Sequence, residues 1–177
     1  MKITSNYFEL LGMPVSFEIE LDTLYAHFKA LQNSVHPDKY AKATDEERRI
    51  SMQYAAQVNQ AYQTLKEPLA RAQYLLELNN VESNADQSHH NSEFLAEQIE
   101  IREQLSDVRV CIDALPEVNT LRNSINSKIE SRIKQLAKDL RDRNEASLVH
   151  AAELVQELQF FYRLSEEIDM LEEKCFN

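Results

Sequence analysis

Hydrophobic positions recur at helical spacing through the N-terminal part of the chain. Two segments carry apolar side chains at three- and four-residue steps, which places them on one face of a helix. The first stripe consists of Leu21, Leu24, Phe28 and Leu31, and the second of Ile50, Tyr54, Val58, Ala61 and Leu65. We expect the first helix to start near Asp22, and a capping box of Thr44 and Glu47 marks the start of the second. The pattern predicts two amphipathic helices that pack as an antiparallel pair.

Three longer helical patterns fill the C-terminal part. They run over about 93–112, 117–143 and 145–175, and Ser92 is the expected N-cap of the first. Their apolar stripes are, in order, Phe94, Ile101, Leu105, Val108 and Ile112; Val118, Leu121, Ile125, Ile129, Ile133, Leu136 and Leu140; and Leu154, Leu158, Phe161, Ser165 and Ile168. Because short connections make sequential helices antiparallel neighbours, we predict a three-helix bundle.

A polar segment separates these two parts. Residues 79–91 are rich in turn formers and almost free of apolar anchors. We therefore predict a first domain over 1–78, a linker over 79–91 and a second domain over 92–177. The adjacent His89 and His90 lie in this segment with only one carboxylate nearby, so a solvated linker is favoured over a metal site.

Composition narrows the fold class. One glycine in 177 residues leaves almost no turn formers for hairpins, which predicts an all-α protein. The four prolines agree with this prediction, because each falls where a helical pattern starts or stops. The expected architecture is a helical hairpin domain followed by a three-helix bundle.

Charge limits the classes of partner. The formal net charge is −11, and residues 79–177 carry 20 acidic and 11 basic side chains, whereas residues 1–78 carry 10 and 8. Such a field repels nucleic-acid phosphates and anionic lipid headgroups, and it favours a basic protein surface. We therefore expect neither nucleic acid nor membrane among the partners.

Cysteine placement and hydropathy indicate the compartment. Cys111 and Cys175 are far apart in sequence, and each lies on or near an apolar helical stripe, so we interpret them as reduced, partly buried thiols. No apolar run is long enough to span a membrane, and the N-terminal residues lack a signal-peptide core. These features predict a cytoplasmic protein.

No set of residues indicates catalysis. The sequence has no glycine-rich phosphate loop, no serine flanked by glycines and no His-Glu-x-x-His pattern. Its carboxylates are spread along the solvated faces of the predicted helices. We therefore predict a binding protein that is not an enzyme and that needs neither a metal nor another cofactor.

The tripeptide His36-Pro37-Asp38 lies between the first two helical patterns, where Pro37 should end the first helix and leave an exposed tip. This arrangement resembles a J domain, the module with which co-chaperones stimulate the ATPase of a DnaK-type chaperone. The matching segments are residues 6–12, 59–62 with Leu65, 68–76, 94–100 and 171–174. Segment 68–76 is similar to one family in particular, HscB, the co-chaperones of iron-sulfur cluster assembly. We expect the bacterial type, because no targeting segment or paired-cysteine module precedes the J domain.

The resemblance implies a chaperone-binding site at the tip. His36, Pro37 and Asp38 would contact the ATPase chaperone, which is HscA in this family, and the tripeptide would be required for stimulating hydrolysis. A basic face on and after the second helix of the module would add to this contact. Here that face consists of His27, Lys29, Lys39 and Lys42. It is thin, because Asn33 and Ser34 stand where relatives often carry charge, so we expect a weak electrostatic contribution.

The helix predicted over 93–112 suggests a second binding site. Helical spacing places Leu95, Ala96, Ile99, Glu100, Glu103 and Asp107 away from its buried stripe. A short apolar patch that continues into three carboxylates is unusual on a solvated face. Phe160 on the last helix likewise points away from the stripe of its own helix. These positions match the HscB surface that binds the cluster scaffold IscU, although Ala96 is smaller than the methionine often found there.

The expected function is that of a two-part adaptor. The J domain would dock on the DnaK-type chaperone while the bundle holds the scaffold, which raises the local concentration of scaffold at the chaperone. A general J protein for assorted unfolded clients is an alternative, and it would require a broad hydrophobic groove. A purely structural helical adaptor is another, and it would make the tripeptide dispensable.

Overall fold

The computed structural model describes residues 6–34, 44–81, 92–110 and 115–175. Seven helices lie in these ranges: α1 (Tyr7–Leu10), α2 (Leu21–Ser34), α3 (Asp45–Lys66), α4 (Pro68–Leu78), α5 (Ser92–Val110), α6 (Leu115–Asp142) and α7 (Glu145–Cys175). The same ranges contain no strand. The predicted all-α fold is therefore confirmed.

The chain divides into two compact units, Met1–Leu75 and Leu76–Asn177. The division falls inside α4, so the first two turns of that helix belong to the first unit. A linker over 79–91 stays a prediction, because the described part of it ends at Val81.

In the first unit, α2 packs against α3. The ring of Phe28 stacks on that of Tyr62 with centroids 4.1 Å apart. The predicted stripe residues Leu24, Phe28, Val58, Ala61 and Leu65 are buried. The predicted stripes are therefore confirmed as the core of this unit at these five positions, while Leu31 and Tyr54 are half-buried.

Two residues of the predicted stripes lie outside that core. Leu21 is 51% exposed and Ile50 is 45% exposed. Leu21 is the first residue of α2 and Ile50 lies in the second turn of α3. Periodicity identifies the apolar face of a helix, but it does not show how far a neighbouring helix covers that face. Near the starts of α2 and α3 the apolar face is left exposed to solvent.

The starts of α1 and α3 are capped by side chains. Asn6 accepts a hydrogen bond from the backbone N–H of Glu9 at 2.9 Å. Thr44 accepts from the backbone N–H of Glu47 at 3.3 Å, and the Glu47 carboxylate accepts from the backbone N–H of Thr44 at 2.9 Å. The predicted capping box is confirmed. Its hydrogen bonds lower the pKa of the Glu47 carboxyl, because they favour the ionised form.

Arg71 fixes the start of α4 within the first unit. Its side chain is buried, Nη1 donates to the carbonyl of Leu65 at 2.6 Å, and the guanidinium lies 5.1 Å from the centroid of the Phe17 ring. Burial lowers the pKa of Arg71, and the Glu67 carboxylate opposes part of this lowering. The guanidinium stays charged, so its contact with the carbonyl is a charge-assisted hydrogen bond.

Tyr74 joins α4 to α1. Its ring stacks on Tyr7 with centroids 4.5 Å apart, and its hydroxyl accepts a hydrogen bond from the backbone N–H of Tyr7 at 2.9 Å. That N–H is one of the donors that a helix start leaves without an intrahelical acceptor. A residue 67 positions later in the chain thus completes the first helix.

The second unit is built on α6 and α7. Arg143 has φ of 51°, and Asn144 caps α7 by accepting from the backbone N–H of Ser147 at 2.9 Å. Along this connection the chain reverses: Arg122 in the first half of α6 pairs with Asp169 near the end of α7, and Asp139 bonds to His150 near the start of α7. The two helices are therefore antiparallel.

The predicted stripe of α6 is buried except at Ile133, which is half-buried, and the α7 stripe is buried except at the half-buried Ser165. Helix α6 begins at Leu115, earlier than predicted. Pro116 lies in its first turn, where a proline is tolerated, and does not mark a position before the helix. The α5 stripe is buried at Phe94, Ile101 and Leu105. Its predicted members Val108 and Ile112 have side chains outside the described residues.

The direction of α5 follows from its contacts. Phe94 near its start lies against Phe161, and Arg102 further along pairs with Glu167, so α5 runs parallel to α7. It is consequently antiparallel to α6, its neighbour in sequence. The predicted three-helix bundle is confirmed.

We predict that Tyr74→Phe lowers the free energy of unfolding of the first unit by about 1 kcal/mol, because the N–H of Tyr7 loses its acceptor. Urea denaturation followed by far-UV circular dichroism measures this. Tyr54→Phe is the matched control, because the Tyr54 hydroxyl has no hydrogen-bond partner within the described part of the chain. Equal losses in both variants would contradict the role given to Tyr74.

Candidate functional surface

The predicted chaperone-binding tip lies mostly outside the described residues. His36, Pro37, Asp38, Lys39 and Lys42 fall in the undescribed segment 35–43. Their contact with a chaperone stays a prediction.

The other two predicted chaperone contacts, His27 and Lys29, are described. Nδ1 of the half-buried His27 donates to the carbonyl of Leu11 at 2.8 Å, which ties α2 to the end of α1. Lys29 is exposed, and its Nζ donates to Gln32 at 3.1 Å and lies 5.7 Å from the Tyr25 ring centroid. His27 therefore has a structural role that the sequence did not reveal, and its contact with a chaperone stays a prediction.

The outward face of α5 carries exposed apolar residues. Leu95 and Ile99 are 56% and 54% exposed, whereas Ile101 and Leu105 on the same helix are 3% and 2% exposed. The remaining predicted positions on the outward face, Ala96, Glu100, Glu103 and Asp107, are exposed as well. The predicted division of α5 into a buried and an outward face is confirmed.

Leu95, Ile99 and Phe160 line one shallow groove between α5 and α7, together with Gln98, Arg102, Glu103 and Ser106. Its volume is about 540 Å³. We call it the apolar groove. It brings together four of the residues predicted for scaffold binding, namely Leu95, Ile99, Glu103 and Phe160.

Phe160 is not separated from the core as the spacing suggested. Its ring lies edge-on to Phe94 and Phe161, with centroids 5.7 Å and 5.5 Å apart. It is half-buried and forms one wall of the apolar groove. One ring therefore touches both the core and the solvent-facing groove.

Ala96 and Glu100 line a second groove, on the α6 side of α5, with a volume of about 780 Å³. We call it the charged groove; its other lining residues include Glu93, Glu97, Lys128, Arg132, His150 and Glu157. Asp107 lines neither groove. The residues of α5 predicted for scaffold binding therefore form a ridge with a groove on each side, and Phe160 of α7 lines the apolar groove.

An ion-pair network in the charged groove holds α5 in place. Arg132 of α6 donates to Glu97 of α5 at 2.6 Å and to Glu157 of α7 at 2.8 Å, and Lys128 also pairs with Glu97. The Arg132 guanidinium lies 4.6 Å from the Phe161 ring centroid. These side chains are at most 31% exposed, so solvent screens them less than a surface pair.

Within the described ranges, no group of three or more histidine, cysteine or acidic side chains could hold a metal ion. Among the helices described, none has the length and apolar character that crossing a membrane requires. What α5 presents is exposed apolar side chains beside exposed carboxylates.

Comparisons with known proteins agree with this architecture. Residues 90–169 match the family model described as the HSCB C-terminal oligomerisation domain. A co-chaperone protein HscB homolog from Colwellia psychrerythraea is 39% identical over 97% of this chain and 99% of its own length. The corresponding protein of Vibrio cholerae (El Tor strain) is 38% identical over 96% of this chain and 98% of its own.

The chain belongs to the HscB family of co-chaperones. The solved structure of HscB from Vibrio cholerae superposes with a TM-score of 0.84 at 36% identity, covering 96% of this chain and 99% of the other. The human co-chaperone HscB has a TM-score of 0.86 at 24% identity, covering 97% of this chain and 84% of its own, which shows a shared fold. The predicted family and the predicted combination of a J domain with a helical bundle are confirmed.

The arginines that order the surface of this HscB-family chain could not be identified from sequence spacing. Arg102 and Arg132 entered the prediction only through the count of basic side chains, because their partners Glu167 and Glu157 are 65 and 25 residues away. Both arginines also lie over phenylalanine rings, Phe160 and Phe161 respectively. The one signal for this pairing in the sequence is an acidic residue on α7. That helix contains many acidic residues, so the partner could not be chosen among them.

We predict that Arg132→Met lowers the free energy of unfolding of the second unit by about 1.5–3 kcal/mol, because Glu97 and Glu157 both lose a charge-assisted partner in a partly buried position. Thermal and urea denaturation measure this loss. Arg48→Met is the control, because Arg48 pairs with Asp45 at an exposed position where the change should be below about 0.5 kcal/mol. A loss for Arg132→Met no larger than the control would contradict the network's role.

Proposed function

We propose that this co-chaperone stimulates the ATPase of a DnaK/HscA-type chaperone and delivers to it an IscU-type scaffold protein of iron-sulfur cluster assembly. The first unit contacts the chaperone through His36, Pro37 and Asp38, and Lys29 adds positive charge to the contact. The second unit binds the scaffold on the ridge of α5. The observation that carries the scaffold half of the proposal is the apolar groove, which places Leu95, Ile99 and Phe160 side by side.

The chemistry of the ridge selects the scaffold surface. The exposed leucine and isoleucine provide an apolar contact, which is typical of the centre of an interface. Glu100, Glu103 and Asp107 are exposed along the same helix and favour a partner with basic residues around an apolar patch. The contact thus combines an apolar centre with a charged rim.

The lining of the apolar groove argues against a general J protein. A carrier of assorted unfolded chains needs a broad adaptable apolar surface, often rich in methionine. Here the charged residues Arg102 and Glu103 line the apolar groove together with its hydrophobic side chains, and α5 contains no methionine. These features favour one folded client over many unfolded ones.

Two sites on one chain explain how an adaptor without catalytic groups acts. When the chain binds chaperone and scaffold together, the scaffold reaches the chaperone at an effective concentration set by the protein that joins them. Hydrolysis of ATP on the chaperone then traps the client. Neither site needs a cofactor of its own.

We predict that His36→Gln and Asp38→Asn abolish stimulation of the chaperone ATPase and change the free energy of unfolding by less than about 0.5 kcal/mol, as expected for exposed tip residues. Steady-state ATP hydrolysis by a purified HscA-type chaperone, with scaffold present, measures the first effect and thermal melting the second. His27→Gln is the contrasting variant. It should lower the free energy of unfolding, because it disturbs the hydrogen bond between the His27 side chain and the carbonyl of Leu11. Full stimulation by the tip variants would refute the chaperone half of the proposal.

We predict that Ile99→Ala weakens scaffold binding by about 2 kcal/mol and leaves stability nearly unchanged, because Ile99 is an exposed anchor of the groove. Ile101→Ala, the matched control two residues away, should lower stability by about 2–5 kcal/mol because Ile101 is buried. Titration calorimetry with the scaffold and thermal melts separate the two effects. Unchanged affinity of Ile99→Ala would place the scaffold elsewhere.

A further inference from the structure

Arg102 occupies an unusual position in the apolar groove. Its Nη1 donates to both carboxylate oxygens of Glu167 on α7, at 3.0 Å each, and its guanidinium carbon lies 5.7 Å from the centroid of the Phe160 ring. Phe94 and Phe161 contact the same ring edge-on from the core. Phe160 is therefore held by two core rings and by one cation at the groove.

Stability does not account for the ion pair. Arg102 and Glu167 are 50% and 25% exposed, and pairs with this exposure contribute at most about 1 kcal/mol to folding. The pair has a geometric consequence instead. Glu167 holds the guanidinium beside Phe160, and this contact limits the orientations open to a half-buried ring that faces solvent.

Charge gives the pair a second consequence. The outward face of α5 displays Glu100, Glu103 and Asp107, and Arg102 lies among them. An uncompensated cation at this point would repel the basic surface that those carboxylates favour. The carboxylate of Glu167 neutralises it.

We infer that Arg102 and Glu167 are positioning residues for Phe160: they hold its ring ready to receive an apolar side chain of the partner beside Ile99. Fixing the ring before binding removes an ordering cost that the complex would otherwise bear. The identity of the partner in this inference rests on the proposed function. The positioning of the ring does not.

A double-mutant cycle tests whether Arg102 acts through Phe160. Arg102→Met should lower the affinity for a purified IscU-type scaffold by roughly 3- to 10-fold in the wild-type background, which corresponds to the ordering cost of one side chain. In the Phe160→Ala background the same substitution should change affinity by less than about twofold. Titration calorimetry measures all four proteins. Equal fold-changes in the two backgrounds would overturn the inference.

Arg122→Met is the matched control for loss of an ion pair. Arg122 also pairs with acidic residues of α7, Asp169 and Glu172, but it does not line the apolar groove. We expect wild-type scaffold affinity for this variant. A loss as large as that of Arg102→Met would show that any weakened pair on α7 reduces binding, and it too would overturn the inference.

A measurement without partner separates this inference from the proposed function. Scalar couplings in protein carrying 13C-labelled phenylalanine report the side-chain rotamer of Phe160. We expect one rotamer in the wild type and in Arg122→Met, and averaged rotamers in Arg102→Met and Glu167→Gln. An unchanged single rotamer in all four proteins would refute positioning. If Arg102→Met and Glu167→Gln show averaged rotamers but the wild-type protein does not bind the scaffold, the proposed function is refuted and the positioning role stands.

Discussion

Burial of the apolar stripes between α6 and α7 is the interaction on which the second unit depends. The two helices contribute residues such as Ile125, Leu136, Leu158 and Leu164, which are at most 1% exposed. A fully buried aliphatic side chain of this size contributes about 1.5–3 kcal/mol. The pair therefore supplies a rigid platform, and α5 needs to add only its inner face to complete the core.

The core contacts of α5 are confined to one face of the helix. Phe94, Ile101 and Leu105 reach the core, while the ion pairs of Glu97 and Arg102 hold the flanks of the helix. Ion pairs thus hold the edges of α5 against the other two helices, and apolar packing holds its centre. Leu95 and Ile99 remain exposed on a helix that cannot turn to bury them, so apolar surface persists where a partner can reach it.

The sequence by itself determined the helices, their buried faces and the family. A chain with one glycine and apolar residues at helical spacing has few alternatives to helices, because each step of three or four residues returns to the same face. The same arithmetic separated Leu95 and Ile99 from Ile101 and Leu105. Capping chemistry is also local, which is why Thr44 and Glu47 could be recognised from their spacing.

Only the tertiary structure decided which residues meet across helices. Periodicity left Leu21 and Ile50 within buried stripes, since it contains no information on how far a neighbouring helix extends. It placed Phe160 away from the core, whereas the ring touches both core and groove. The partners of Arg102 and of Tyr74 lie 65 and 67 residues away, and helical spacing cannot show which donor and acceptor meet until packing fixes the helices. The sequence thus determined the faces, and the packing of the helices decided the contacts between them.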